Sequence, residues 1–293
     1  MMDSKPHFII IGAMKSATST LQEQLVTQPG IFMTTPKEPN FFSDDDQYEK
    51  GLKWYQGLFS EAPENSLLGE ASTHYTKLPT YPETLNRLHE YAPDLRLVYI
   101  MRHPLDRLVS HYIHEWSMGV IKSDINEAVK EHPELVSYGQ YAMQLEPYFE
   151  RYGADAILPV FFDRLLSEPQ KQLERICRHI GYAGSPVWRS EQKASNISSE
   201  RIRKFPLYNL VVDSQVATWL RRTFIPRGFR DRVKQQFVMQ ERPVLSDQMQ
   251  QELKLQFDKD LARLGKWLNV DLNCDNFREL ALSRELDWVS VDE

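Results

Sequence analysis

Four short segments of this 293-residue chain hold the residue types that do chemistry. The first is Phe8-Ile-Ile-Ile-Gly12-Ala-Met-Lys15-Ser16-Ala17-Thr18-Ser19-Thr20-Leu21. An apolar run stops at a glycine, a loop with one lysine and several hydroxyls follows, and a helical pattern begins. That order builds an anion cradle: backbone N–H groups and a helix N-terminus converge on a phosphate while the lysine adds charge. A buried strand, a turn and a helix with no ligand would use the same residue types. A Walker A loop needs four residues between its first glycine and a Gly-Lys pair. Here only Ala13 and Met14 separate Gly12 from Lys15. The loop therefore points to a phosphate group but not to a magnesium-bound nucleoside triphosphate.

The second segment is Thr35-Pro36-Lys37-Glu38-Pro39-Asn40-Phe41-Phe42. Two prolines stiffen the backbone on either side of Glu38, because each fixes its own φ and restricts its predecessor. Stiffness is useful where a base must be held still, although an exposed turn would read the same way. The third segment, Arg102-His103-Pro104-Leu105-Asp106-Arg107-Leu108-Val109-Ser110-His111-Tyr112, follows a strongly apolar run and opens a helix. Arg102 then falls at a strand's carboxyl end, where parallel sheets bind ligands, and Ser110 lies two turns into the helix. Together they suit a second phosphate. The fourth, Gly69-Glu70-Ala71-Ser72-Thr73-His74-Tyr75, again ends an apolar run with polar groups.

These segments need elements to position them. Strand patterns occur at Phe8–Ile11, Ser66–Gly69, Leu95–Met101 and Ala156–Phe162. Leu95–Met101 is nearly continuous in apolar residues, as in a strand buried on both faces. Helical patterns cover Thr18–Thr27, Tyr81–Tyr91, Pro104–Ser117, Tyr138–Tyr152, Pro169–Ile180 and Ser246–Leu268, the last with Ser246 as N-cap. Strands alternating with helices predict an α/β fold with a parallel sheet covered on both sides. After Gly184 the chain turns basic, with Arg201, Arg203, Lys204, Arg221, Arg222, Arg227, Arg230, Arg232 and Lys234. That segment reads as a solvated face or as a lobe meeting an anion or a membrane surface. Trp54, Tyr55, Tyr75, Tyr112 and Trp116 could stack on a ligand's rings or line a lipophilic pocket, and their helical spacing points several of them to the core.

The net charge of −6 argues against generic nucleic-acid binding. Two distant cysteines, Cys177 and Cys274, show no metal spacing and suit a reducing compartment. No signal peptide or transmembrane stretch is evident, so a cytoplasmic setting is the expectation.

Lys15-Ser-Ala-Thr-Ser-Thr-Leu, Lys37-Glu-Pro-Asn-Phe-Phe and Arg102-His-Pro-Leu-Asp-Arg-…-Ser110-His-Tyr together resemble the sulfotransferases that use 3′-phosphoadenosine-5′-phosphosulfate (PAPS). Lys37–Phe42 followed by Tyr48–Tyr55 is similar in particular to the heparan sulfate N- and 3-O-sulfotransferase branch and its bacterial relatives. The similarity runs from about Phe8 to Gly181, and Glu241-Arg-Pro-Val-Leu-Ser with the last helix resembles the family's C-terminal end.

The resemblance implies a P-loop-like central parallel β-sheet flanked by helices. It implies a single domain over residues 1–293, with a core at about 7–183 and a helical C-terminal region at about 184–293. It assigns Lys15, Ser16, Ala17, Thr18, Ser19 and Thr20 to the 5′-phosphosulfate, Arg102 and Ser110 to the 3′-phosphate, and Glu38 to the general base. The implied reaction carries a sulfuryl group from PAPS to a hydroxyl of a carbohydrate or small molecule. It leaves adenosine 3′,5′-bisphosphate (PAP) and needs no metal. Two positions depart from the heparan enzymes: Asn40 stands where they commonly have histidine, and Ala71 where they have lysine. His74 is placed to take part of that lysine's role, and Arg201, Arg203 and Lys204 to close over the 3′-phosphate in place of a glycine-rich loop. A P-loop small-molecule kinase and a catalytically silent nucleotide-binding scaffold are the alternatives.

Overall fold

The computed structural model describes residues 5–190, 239 and 241–289. Five strands form one all-parallel sheet: β1 (Phe8–Gly12), β2 (Ile31–Met33), β3 (Leu67–Ala71), β4 (Arg96–Met101) and β5 (Ile157–Phe161). Their order is β2-β3-β1-β4-β5, with Phe8 opposite Gly69 on one side and Arg96 on the other. The chain moves to one side of β1 for β2 and β3, then crosses it to lay down β4 and β5. The carboxyl end of β1 is thus the topological switch point, where open α/β sheets bind ligands.

The described helices are α1 (Thr18–Val26), α2 (Asp45–Tyr48), α3 (Leu52–Gly57), α4 (Thr84–Tyr91), α5 (Pro104–Ser117) and α6 (Ile125–Glu131). They continue with α7 (Glu134–Ser137), α8 (Tyr141–Tyr152), α9 (Phe162–Ser167), α10 (Pro169–His179), α11 (Asp247–Trp267) and α12 (Phe277–Ser283). A 3-10 turn, Thr73–Thr76, follows β3. None is long and apolar enough to cross a membrane.

Strand alternation splits the core into two layers. Ile9, Ile11, Leu97, Tyr99 and Met101 face one, with Leu88, Leu108, Leu145 and Phe257 from α4, α5, α8 and α11. Phe8, Ile10, Val98 and Ile100 face the other, with Leu21 and Leu25 of α1 and Leu173 and Ile176 of α10. Helix α11 starts as expected, the Ser246 hydroxyl accepting from the Met249 amide at 3.3 Å. Its Asp260 carboxylate accepts from the Ala142 and Met143 amides at 2.9 and 3.0 Å, satisfying the open N-terminus of α8.

The four strand patterns fall on β1, β3, β4 and β5. Strand β2 carries only three residues at the sheet edge, too few to show a period. Helix α4 starts at Thr84 rather than Tyr81, because Pro82 disfavours a helical Tyr81. The basic segment from Arg201 to Lys234 lies outside the described residues.

Candidate active site

The loop after β1 is shaped by close packing at its base. A Cβ on Gly12 would overlap the Thr76 hydroxyl and lie 2.8 Å from the Tyr99 ring, so only glycine fits. The Thr76 hydroxyl donates to the Ile11 carbonyl at 2.7 Å, tying the loop to the turn after β3. Lys15 and Ala17 then take left-handed φ values of 68° and 67°. Such values cost energy in non-glycine residues and gather at ligand sites. Ala17 ends this turn as the N-cap of α1, and no side chain caps that helix. The first-turn amides of α1 thus face an uncapped N-terminus next to Lys15.

Ser16 is 0 % exposed, and its hydroxyl has no hydrogen-bond partner among the described residues. A buried hydroxyl left without a partner is an exception that a ligand oxygen would resolve. Thr18 is buried, and Ser19 and Thr20 are half-buried.

Arg102, just beyond β4, joins this loop. Its Nη1 donates to the Lys15 carbonyl at 3.1 Å, and its guanidinium lies 4.6 Å from the centroid of the Phe162 ring. The backbone of Arg102 is fixed by Tyr141, whose hydroxyl accepts from the Arg102 amide and donates to its carbonyl. The Arg102 Nε is buried without a partner among the described residues. Ser110 sits half-buried two turns along α5, and no hydrogen bond joins it to Arg102 among the described residues. A buried, unpartnered hydroxyl, an uncapped helix start and a guanidinium with an open donor form a set that fits a phosphorylated ligand.

The other half of the site lies beyond β2 and β3. Glu38 has φ 57° and donates its amide to the Ala71 carbonyl at 3.0 Å, so its turn is stitched to the end of β3. Its Oε1 accepts from Lys37 Nζ at 2.6 Å and from the Thr73 hydroxyl at 3.3 Å. Burial opposes ionisation, but Lys37, Lys77 and His74 outweigh it and hold the Glu38 carboxyl below its usual range. It is a carboxylate at neutral pH.

Beneath it, Glu70 is fully buried, and burial pushes its carboxyl up despite the Ser72, Tyr55 and Tyr75 hydroxyls around it. The Tyr55 hydroxyl donates to Glu70 Oε2. His74 is tied to Asp44, Nδ1 to Oδ1 at 2.9 Å, and stacks on Tyr81 with centroids 4.8 Å apart. Burial and then Lys77 push His74 down against the pull of Asp44, favouring the neutral ring.

The structure therefore brings Lys15, Ser16, Ala17, Thr18, Ser19, Thr20 and Arg102 to one side of the sheet's carboxyl edge, and Glu38 and His74 to the other. Arg201 and Lys204 lie outside the described residues. Tyr55, Tyr75 and Tyr112 belong to the buried core, and Trp54 and Trp116 pack against it. Sequence reading passed over two cations. Lys77 is buried beside Glu38, and its only sequence sign was its place four residues past the Ser72-Thr73 pair. Arg242 pairs with Asp106 at 3.3 Å and acts electrostatically on Arg102; the Glu241-Arg-Pro signature was its trace. Among the described residues, no three His, Cys, Asp or Glu side chains are grouped to hold a metal ion.

Comparison with known proteins gives a consistent picture. A family model described as Sulfotransferase domain matches residues 5–259. Heparan sulfate glucosamine 3-O-sulfotransferase 3A1 of Mus musculus is 28% identical over 185 residues, covering 60% of this chain and 46% of that protein. The chain spans about half the length of the curated relatives it matches. Among solved structures, a sulfotransferase from Alicyclobacillus acidocaldarius superposes with a TM-score of 0.64 at 21% identity, covering 92% of this chain and 97% of that one. Mouse sulfotransferase SULT7A1 complexed with PAP gives 0.50 at 14% identity, covering 95% of this chain and 90% of that one. At these identities the two structures speak to the fold alone.

Proposed function

The chain belongs to the sulfotransferase domain family, and on that premise we propose that it transfers a sulfuryl group from PAPS to a hydroxyl of a carbohydrate or small-molecule acceptor. PAPS, when bound, supplies the sulfuryl group and a phosphate able to leave with negative charge. The chain's own residues do the rest. The first-turn amides of α1 with Ser16, Thr18, Ser19 and Thr20 hold the 5′-phosphate end. Lys15 places positive charge where the leaving phosphate develops its own. Arg102 and Ser110 take the 3′-phosphate. Glu38 accepts the proton of the acceptor hydroxyl, with Thr73 fixing the orientation of its Oε1. Arg201 and Lys204 remain proposed partners of the cofactor.

The observation that carries this reading is the seating of Glu38. An ionised carboxylate, pinned in a left-handed turn to the end of β3, shares the sheet's carboxyl edge with an uncapped phosphate-type loop. That pairing supports a base and an anion cradle serving the two ends of an in-line transfer. A carbohydrate hydroxyl as acceptor gains support from the relative named for glucosamine 3-O-sulfation. Two buried free thiols suit a reducing compartment, in keeping with a cytoplasmic setting.

Calorimetric titration tests the donor. Adenosine 3′,5′-bisphosphate is expected to bind at least tenfold more tightly than adenosine 5′-monophosphate or ATP. A preference for ATP would instead move the assignment to phosphoryl transfer.

A further inference from the structure

Among the described residues, Lys77 is a buried lysine with no ion-pair partner. It is 8 % exposed and follows Thr76, whose hydroxyl is bonded to the base of the phosphate loop at Ile11. Its ammonium lies 5.6 Å from the centroid of the Tyr138 ring. Charged and titratable groups reach it from every neighbouring element: Glu38 after β2, Asp44 ahead of α2, His74 in the 3-10 turn, and Arg107, His111 and Glu115 along α5.

Each carboxylate in that set is engaged by a different cation or ring. Glu38 takes Lys37 at 2.6 Å, Asp44 takes His74 at 2.9 Å, and Glu115 takes His111 at 3.5 Å. Among the described residues no hydrogen bond or ion pair is made by the Lys77 ammonium. Lysines buried to this depth are ordinarily paired, because an uncompensated ammonium in a poorly solvated site is costly. Burial pushes Lys77 down to about 8, with Glu38, Glu115 and Asp44 opposing and Arg107 reinforcing.

We propose that Lys77 is a second cation of the reaction centre, its ammonium contacting the sulfuryl oxygens of the donor between Glu38 and Lys15. The inference rests on the PAPS reading of the site. In-line transfer sets the base at one end and the leaving phosphate at the other, so the oxygens of the moving group point sideways between them, as in phosphoryl transfer. The Lys77 neighbour Thr76 is bonded to the loop base, and the Lys77 charge acts on Glu38, so Lys77 sits in the stretch of chain that links the two ends of that path. His74 is less suited, being neutral and already held by Asp44 and Tyr81. Lys77 gains and loses no atoms; it lends charge and hydrogen bonds to oxygens that share the developing negative charge.

Competitive labelling tests this without turnover. The full-length protein is treated with trace acetic anhydride from pH 6.5 to 10, and acetylation at each lysine is read by peptide mass spectrometry. Samples carry no nucleotide, PAP, or PAPS, which differs from PAP only by the sulfuryl group. Protection of Lys15 by both nucleotides reports that the cofactor site is filled. The expected result is that PAPS, and not PAP, moves the Lys77 titration midpoint upward by about one unit, the lower end of the effect of an adjacent opposite charge. At pH 8 that is about a fivefold fall in labelling.

Equal Lys77 curves with the two nucleotides, while Lys15 is protected, would overturn the inference and leave the PAPS reading standing. A uniform fall at every pH, with no moved midpoint, would show shielding alone and overturn it as well. No protection of Lys15 by either nucleotide would remove the PAPS reading, and this inference with it.

Discussion

The carboxyl edge of the sheet divides at β1 into two regions built on different principles. On the side of β1 and β4, the site is made mostly of backbone: a left-handed loop, the uncapped start of α1, and one arginine anchored by Tyr141 and the Lys15 carbonyl. On the side of β2 and β3 it is made of side chains, with Glu38, Asp44, His74 and Lys77, joined by Glu115 from α5, in partly compensated charge. A backbone cradle suits a ligand part that is always the same, such as the phosphates of a nucleotide. A side-chain cluster suits the part that changes during reaction and the acceptor that distinguishes one enzyme from another. Substitutions on the two sides should therefore fail in different ways.

The widest separation is expected from Glu38→Gln. It keeps the shape of the turn and removes the base, so turnover should fall by about 10²–10⁴-fold. Affinity for PAP should stay within about twofold, since the phosphate loop is untouched. Turnover is read by PAP release and affinity by calorimetry. Comparable losses in both would mean that the two regions are not separable, and unchanged turnover would remove Glu38 as the base.

Arg102→Ala probes the opposite region. A hydrogen bond to a charged group is worth about 1.5–3 kcal/mol, so PAP affinity should drop by about 10- to 100-fold. Affinity for adenosine 5′-monophosphate, which has no 3′-phosphate, should hardly move. An equal loss for both nucleotides would make Arg102 a support for the Lys15 loop rather than a ligand of the 3′-phosphate.

Gly12→Ala asks whether the two regions are locked together at Thr76. The added Cβ meets the Thr76 hydroxyl and the Tyr99 ring, neither of which is a flexible chain end. Overpacking of this kind costs about 1–3 kcal/mol, to be read as a lower urea midpoint. Because Thr76 bonds Ile11 at the base of the phosphate loop, the change should also weaken PAP binding. A variant as stable as the parent would show that the loop base yields more easily than its packing suggests.

The same division explains what could be read from sequence. Backbone cradles are contiguous, so Phe8–Leu21 announced the loop, and a strand followed by Arg102 and Pro104 pointed to the second anion position proposed above. The α/β fold followed from runs such as Leu95–Met101 and from helices with clear starts at Pro104, Pro169 and Ser246. The side-chain cluster is assembled from segments up to 77 residues apart, from Glu38 to Glu115, and no local pattern marks Lys77 as buried. His74 was chosen from its position alone, and only the fold shows that its ring bonds Asp44 and stacks on Tyr81. The aromatics Tyr55 and Tyr75 were open between pocket and core. Only the packing around Glu70 places them beneath the site rather than in it.

The finest distinction between the regions lies in their response to alkali. Lys77 has a folded-state pKa lowered from 10.5 to about 8, the largest cause being burial. Below pH 8 both folded and unfolded chains hold its proton, and the fold bears the full cost of burying the ammonium. Between about 8 and 10.5 the unfolded chain holds more protons than the folded one, so this lysine's contribution to stability improves as pH rises. Lys77→Met deletes the group, and the two proteins share every other titrating side chain. The variant should melt higher than the parent at pH 7, by about 1.5–2 °C, the equivalent of roughly 1 kcal/mol in a domain of this size. The gap should narrow between pH 8 and 10. A gap that is absent at pH 7 would mean that Lys77 is compensated in the folded protein. A gap that ignores pH would trace the gain to the methionine's packing. Either result would take the uncompensated charge away from the acceptor side and leave the two regions alike in their electrostatics.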